Sequence, residues 1–112
     1  MTTRLRWFGV RLLMESVHGE GSAAPGLLED LILLVRASTL DEASLKAEAV
    51  ARKSEERYES AGGDEITWRF KEVLDAKEVL DEDIGDGTQI YYSHLKAGEL
   101  DMLRATLRPL DG

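Results

Sequence analysis

In the stretch Trp7–Glu15, every even position is apolar, so that Phe8, Val10, Leu12 and Met14 share one face of an extended chain. A period of two predicts a β-strand with one face on the core. Gly9 falls on the opposite face, where a glycine permits a bulge or the close approach of another backbone segment. The following stretch, Val17–Gly26, holds three glycines and a proline and predicts a loop.

A second strand is predicted over Leu27–Ala37. Its residues 31–35 are continuously apolar, which is typical of a strand covered on both faces. Periodicity alone also permits a short buried helix here. The lack of helix-capping residues before Leu27, and the presence of a cap after Ala37, favour the strand.

A helix start is the clearest boundary in the sequence. The spacing of a capping box, with acids in the first turn, is present in Ser38, Thr39, Asp41 and Glu42. Small residues then recur at helical spacing in Ala43, Ala47, Val50, Ala51, Ser54 and Tyr58. We therefore predict a helix over Leu40–Glu59 that lies close on a sheet. Ser60–Asp64 should end it, with Gly62 or Gly63 in the left-handed cap position.

The second half of the chain opens with strict alternation, in which Ile66, Trp68, Phe70 and Leu74 face one way. This pattern predicts a strand whose aromatic residues anchor the core. We expect it to continue, bent or bulged, to Leu80. The segment Val73–Leu80 also fits one face of a short helix, so both interpretations stay open.

Turn residues follow at Gly85–Gly87, and the β-favouring segment after them predicts a hairpin with a strand over Thr88–His94. A short helix is predicted over Ala97–Leu107, with Pro109 as its stop. The predicted fold class is α+β. It has a mostly antiparallel sheet of three or four strands, with the order β-β-α-β-β, one main helix on one face and a short C-terminal helix.

The length of 112 residues predicts that residues 1–112 form one α+β domain. One helix covers only one face of the sheet. The other face must then be covered by the tail helix or by a second subunit, so we predict a homodimer.

Charge and composition narrow the function. The chain has 22 acidic and 14 basic residues and a net charge of −8, which disfavours nucleic acid and anionic membranes as partners. It has no cysteine, and no apolar run of transmembrane length or secretory signal is apparent. We expect a cytoplasmic protein without a cofactor.

The sequence patterns that would indicate a metal or phosphate site are weak. The acidic cluster at residues 81–86 does not match the ligand spacing of an EF-hand, so we interpret it as a solvated turn. His18 lacks an apparent third ligand, which favours an exposed loop histidine. No phosphate-loop pattern and no nucleophile with a matched base are present.

Aromatic and polar residues near the predicted C-terminal hairpin are the remaining candidates for a pocket. They are Trp68, Arg69, Tyr91, Tyr92 and His94. Arg69 and Arg11 fall opposite the core faces of their strands, where ion pairing with Glu15 or Glu72 is the simpler expectation.

Three stretches have a distinctive order of residues: Trp68-Arg69-Phe70, Ile84-Gly85-Asp86-Gly87-Thr88 and the N-terminal Trp-Phe-Gly-Val-Arg. With them the chain resembles a small bacterial family catalogued as domain of unknown function 4288, and the first two stretches are the most specific. The resemblance covers about Trp7 to Leu95. It implies an α+β fold with a strand in Trp68–Leu80, and it supplies no catalytic residues.

The sequence thus predicts a non-enzymatic protein-interaction or regulatory module. A more specific hypothesis is an acidic inhibitor or immunity-type protein that neutralises a basic effector. The alternative is a small-molecule-binding or catalytic domain with a pocket at the residues named above.

Overall fold

Three long strands form the centre of the molecule. The computed structural model describes residues 4–19, 26–55, 57–59 and 65–107. Its elements in chain order are β1 Arg6–His18, β2 Leu28–Ala37, α1 Leu40–Lys53, β3 Arg57–Glu59, β4 Glu65–Val79 and α2 Ala97–Thr106. The α+β class is therefore confirmed.

Strand β1 lies in the middle of an antiparallel sheet with the order β2-β1-β4-β3. The fourth strand, β3, has three residues and extends the sheet only beside the start of β4. The long strands were predicted, and the alternative of a helix over Val73–Leu80 is wrong because β4 runs to Val79. The predicted start of a loop at Val17 is wrong, since β1 continues to His18, and residues 20–25 of that stretch lie outside the described residues.

One face of the sheet carries the core. The even side chains of β1, from Phe8 to Met14, are buried, as their alternation predicts. Helix α1 covers them with Ala43, Ala47 and Ala51, which are also buried. Because these side chains end at Cβ, the helix backbone can approach the sheet closely.

The start of α1 follows the predicted capping pattern. Thr39 Oγ1 accepts a hydrogen bond from the Glu42 amide at 3.1 Å, and the Glu42 carboxylate accepts one from the Ser38 amide at 3.3 Å. The first bond satisfies an amide that the first helical turn leaves without a partner, and the second ties Ser38, the residue before the cap, to the helix. The cap fixes the turn between β2 and α1.

The end of α1 differs from the prediction. The helix stops at Lys53, because Ser54 adopts a non-helical conformation and bonds back to Val50 O. The Glu55 carboxylate then accepts the Phe70 amide at 3.2 Å, which ties the chain to β4. The predicted extension to Glu59 is wrong, since residues 57–59 pair with β4. The predicted cap at Gly62 or Gly63 lies outside the described residues.

Strand β4 contains two register shifts against β1. Lys71 and Leu74 have no partner residue on β1 and are therefore the extra residues of these two bulges. Trp68 and Phe70 pack against the core before them, and Val73 does so between them. Leu74, which simple alternation would place inside, is 43% exposed. The prediction of a bulged strand is confirmed.

The predicted strand over Thr88–His94 is wrong. Gly85–Thr88 is a turn, with a bond from the Thr88 amide to Gly85 O at 3.1 Å and Gly87 at a φ of 84°, but residues 88–95 are irregular. We call residues 88–95 the strap. They cross the second face of the sheet, where Ile90 O lies against Gly9. The close approach expected at Gly9 therefore occurs.

Helix α2 forms as predicted but packs little. None of its residues is buried, and no Cα atom of α2 lies within 8 Å of a Cα atom in the described strands or in α1. The radius of gyration is 17.2 Å, whereas a compact domain of this length has about 13 Å. The second face of the sheet is thus crossed by the strap, and α2 projects beyond it.

We predict that Gly9→Ala displaces the strap. A Cβ atom at this position would lie 1.9 Å from Ile90 O, so either the strap or β1 must move. Overpacking of this kind costs about 1–3 kcal/mol. Urea unfolding should show that loss of stability, and amides of residues 88–92 should exchange hydrogen faster.

Gly85→Ala is the matched control, because its Cβ would meet no atom within 4 Å. At Gly9, which lies in β1, an alanine that met no obstacle would be more stable than glycine, because alanine is favoured over glycine in a strand. A Gly9→Ala protein as stable as the parent would therefore show that the strap does not rest on β1.

Candidate functional site

A polar cluster lies on the second face of the sheet, beneath the strap. Arg11 on β1 pairs with Asp30 on β2 through both carboxylate oxygens, with Nε–Oδ1 at 2.8 Å and Nε–Oδ2 at 3.0 Å. On the other side of β1, Asp75 on β4 accepts a hydrogen bond from the Tyr91 hydroxyl at 2.7 Å. The register places Asp75 directly opposite Arg11. Three strands and the strap therefore meet at one group of charges.

Electrostatics hold this cluster in its ionised form. The hydrogen bond from Arg11 lowers the pKa of Asp30, and the same bond raises the pKa of Arg11. The Tyr91 hydroxyl lowers the pKa of Asp75, while desolvation and then the bond to Asp75 raise the pKa of Tyr91. At neutral pH, Tyr91 is thus a neutral donor to an ionised carboxylate.

The neighbouring strap residues make aromatic contacts. Lys77 Nζ lies 4.9 Å from the centroid of the Tyr92 ring, within the range of a cation–π interaction. The rings of Tyr92 and His94 meet edge to face at 5.7 Å and 74°. These contacts fix the strap along β4 and leave Tyr92 about half exposed.

A cleft of about 350 Å³ opens between this face, the strap and α2. Its walls include Arg11, Asp30, Ile32, Tyr91, Leu95 and Leu103. The volume is at the lower end of the range for small-molecule sites. A second cleft of about 410 Å³ lies on the other side of Tyr91 and Tyr92, beside Glu78 and Leu80.

The structure brings together only part of the predicted site. Tyr91, Tyr92 and His94 are adjacent on the strap. Trp68 lies on the α1 face, packed against the core, so the sheet separates it from them. Arg69 is on the second face but pairs with Glu15 at 3.6 Å. Its partner on β1, Glu15, is four residues from Arg11, the partner of Asp75, so Arg69 lies roughly 13 Å from Asp75 along the sheet.

The residues that the sequence did not single out are Asp30, Asp75 and Lys77. Each faces away from the core. Alternation from Ile66 onward gives this facing for Asp75 and Lys77, because two bulges together restore it, but the continuous apolar run of β2 gives no facing for Asp30. Only the pairing of β1 with both neighbours places Asp30 and Asp75 on either side of Arg11. Arg11 itself was expected in an ion pair, although with a different acid.

A third cleft, of about 700 Å³, lies where β1 begins and β4 ends. Arg6 there bonds Glu78 at 2.8 Å and Ser38 O at 2.9 Å, and Arg36 lies 5.4 Å from the Trp7 ring centroid. Acidic residues 81–83 complete the wall. The basic groups of this cleft thus have acidic neighbours, which disfavours a specific anion site.

His18 is not the exposed loop residue that the sequence predicted. It ends β1, where its Nε2 lies 3.4 Å from Ser16 Oγ and its Nδ1 is buried without a hydrogen-bond partner among the residues that the structure describes. Ser16 is itself buried and accepts the Leu27 amide at 2.7 Å. The serine therefore holds the start of β2 and is not placed as an accessible nucleophile.

Among the described residues, no three or more histidine, cysteine, aspartate or glutamate side chains are grouped to hold a metal ion. In that same part of the chain, neither helix has the length and apolar character needed to cross a membrane.

A model of the family described as Domain of unknown function (DUF4288) matches residues 7–92. The chain belongs to this family. The matched DUF4288 region contains the whole sheet except the first residue of β1, together with α1 and the strap as far as Tyr92. Helix α2 lies outside the match. No curated protein and no solved structure matches the chain.

Within the DUF4288 region, we predict that Tyr91→Phe releases the strap from Asp75. A hydrogen bond to a charged group contributes roughly 1.5–3 kcal/mol when buried, and solvent at this half-exposed site reduces that to about 1 kcal/mol. The pKa of Asp75 should rise toward its usual value. Carboxyl NMR titration would measure this rise, and urea unfolding would measure the loss of stability.

The stability that the Tyr91–Asp75 hydrogen bond contributes should depend on pH in one direction. The folded-state pKa of Asp75 lies below its ordinary 3.8, so the stability from this contact is present above about pH 4. It is lost as the pH falls through the lowered pKa. The gap in stability between the parent and Tyr91→Phe should narrow over that acid range.

Tyr92→Phe is the control, because the described contacts of Tyr92 are made by its ring. Equal effects of the two substitutions would contradict the role given to the Tyr91 hydroxyl.

Proposed function

We propose that the protein is a non-enzymatic interaction module that presents helix α2 to a protein partner. The observation that supports this proposal is the state of α2. It is a formed helix with an apolar stripe, Leu100, Leu103 and Leu107, and these side chains are 37%, 40% and 60% exposed. Only Leu103 reaches the cleft beneath the strap.

An isolated helix of this size is marginal in water. Helices shorter than about 12–15 residues need packing to form stably, and α2 has 10 residues. Its N-cap residue, Lys96, makes no side-chain bond to the helix amides. A groove that buries the stripe would supply the missing packing, as in other complexes in which an amphipathic helix lies in a groove.

Charge supports a basic partner. The net charge is −8, the polar residues of α2 include Glu99 and Asp101, and the chain before the strap carries exposed acids at residues 81–83 and 86. Acidic groups around an apolar stripe would attract a basic protein and speed its association. An inhibitor or immunity-type role against a basic effector is the specific form of this proposal. A cytoplasmic location stays a prediction.

Leu100→Ser/Leu107→Ser should weaken partner binding. Burying two leucines contributes about 3 kcal/mol or more, so the dissociation constant should rise by roughly a hundredfold. The measurement is affinity purification from the native host, followed by calorimetry with the protein recovered.

Met102→Ser is the control within the same helix, since Met102 is 72% exposed and projects away from the stripe. Recovery of no protein other than the chain itself, or equal binding by all three proteins, would rule out α2 as the docking element.

A second candidate function is the binding of a small ligand in the cleft beneath the strap. The cleft has a volume of about 350 Å³ and combines the Arg11 guanidinium and Tyr91 with the apolar Leu95 and Leu103. Crystals soaked with a fragment library would test it. Fragments that bind this cleft, and lose binding in Leu103→Asp but not in Met102→Asp, would support this function. A cleft that stays empty would exclude it.

A further inference from the structure

Strand β2 is an open edge of the sheet. The bond from the Ser16 amide to Leu27 O, at 2.8 Å, belongs to the regular ladder in which every residue of β2 is in register with β1. In an antiparallel pair, alternate residues direct both backbone groups toward the partner and the others direct both away. Odd residues of β2 therefore bond to β1. The backbone groups that point outward are those of Leu28, Asp30, Ile32, Leu34 and Arg36.

One hydrogen bond confirms that the backbone carbonyl of Arg36 points away from β1. Lys46 Nζ on α1 donates to Arg36 O at 2.7 Å. Within the described part of the chain, no hydrogen bond reaches the outward groups of Leu28, Asp30, Ile32 or Leu34. Ile32 is also 40% exposed.

The other long strand with an open side, β4, is protected in a way that β2 is not. Its free side begins beyond the residues paired with β3 and carries two bulges. Bulges of this kind prevent pairing between edges. Strand β2 has neither a proline nor a bulge across its 10 residues.

We propose that β2 pairs antiparallel with β2 of a second copy of this chain, about a two-fold axis at Leu33. This places Asp30 opposite Arg36 of the second copy. The partner is a second copy because β2 is complementary to itself in this register. The surface is separate from the α2 stripe, so this proposal and the proposed function can fail independently.

On the second face, this register makes two opposite-charge pairs of Asp30 with Arg36. Between them, Ile32 meets Leu34 twice. Asp30 already bonds Arg11, but its side chain is 45% exposed, and a carboxylate accepts several bonds. Cross-strand pairs of these types each contribute roughly 0.2–1 kcal/mol.

On the α1 face, the same register makes only apolar contacts near the axis. Leu33 meets Leu33 of the second copy, and Leu31 meets Val35. The ladder adds about eight backbone hydrogen bonds. Arg36 O has a second lone pair, so the bond from Lys46 is compatible with the pairing.

Other registers of the two β2 strands give less favourable side-chain pairs. Moving the axis to Ile32 places Asp30 opposite Leu34 and Leu28 opposite Arg36. Moving it to Leu31 places Asp30 opposite Ile32. Each pairs a charge with an apolar side chain on the second face, so the axis at Leu33 is selected by charge and hydrophobicity together.

The first test uses the absence of cysteine from the chain. With the axis at Leu33, the two copies of residue 33 form a non-hydrogen-bonded pair with Cα atoms about 4.5 Å apart, within the range for a disulfide. Leu33→Cys should give a covalent dimer on mild oxidation. Leu31→Cys is the matched control: residues 31 of the two copies would be roughly 13 Å apart, and no cross-link should form.

The second test is the mass in solution by sedimentation equilibrium. The parent should approach twice 12.5 kDa as its concentration rises. Arg36→Glu places like charges opposite Asp30 in both pairs, and should raise the dimer dissociation constant about tenfold or more. Circular dichroism would verify that each variant is folded, and Arg36 is exposed.

A parent that stays at 12.5 kDa would overturn the proposal. So would cross-linking of Leu31→Cys as readily as Leu33→Cys, or a dimer that Arg36→Glu does not weaken. Loss of partner binding through α2 would leave all three measurements unchanged.

Discussion

The covering of β1, complete on one face and partial on the other, is the constraint on which the rest of the structure depends. One face carries large side chains and needs a cover that can come close, which α1 supplies through Ala43, Ala47 and Ala51. On the other face, the strap comes very close to β1 at Gly9, where a backbone carbonyl of the strap takes the place that a side chain would fill. A central strand of a small sheet is thus enclosed by one helix and one irregular segment.

The elements that the sequence predicts well are those whose signals are local. The alternation around Phe8 to Met14 survives because both neighbours pair with β1 and α1 covers its even side. The cap at Thr39 is formed by bonds between residues at most four positions apart. The strap could not be predicted in this way. Thr88 to Tyr92 has β-forming residues, but the adjacent side of β4 is bulged, and Gly9 offers a place across the sheet.

The same distinction explains the candidate site. Tyr91, Tyr92 and His94 stay together because they are neighbours in the chain. Trp68 and Arg69 are also neighbours, but successive residues of a strand face opposite sides, so they cannot share one pocket. The charges around Arg11 come from residues 30 and 75, far apart in sequence, and only the order of the strands joins them. Neither the strand propensity of the residues nor their spacing in the sequence predicts the order of the strands.

The two bulges of β4 have a consequence for how such a strand can change. Each adds one residue, which moves the core-facing positions beyond it from even to odd numbers or back. Trp68 before the pair and Ala76 after it therefore face the core from even positions, while Val73 between them does so from an odd position. Loss of Lys71 alone would make Phe70 and Glu72 successive residues opposite Met14 and Leu13. Such a deletion would remove one bulge and leave the facing of every other residue unchanged, so the strand can gain or lose single residues at these two places.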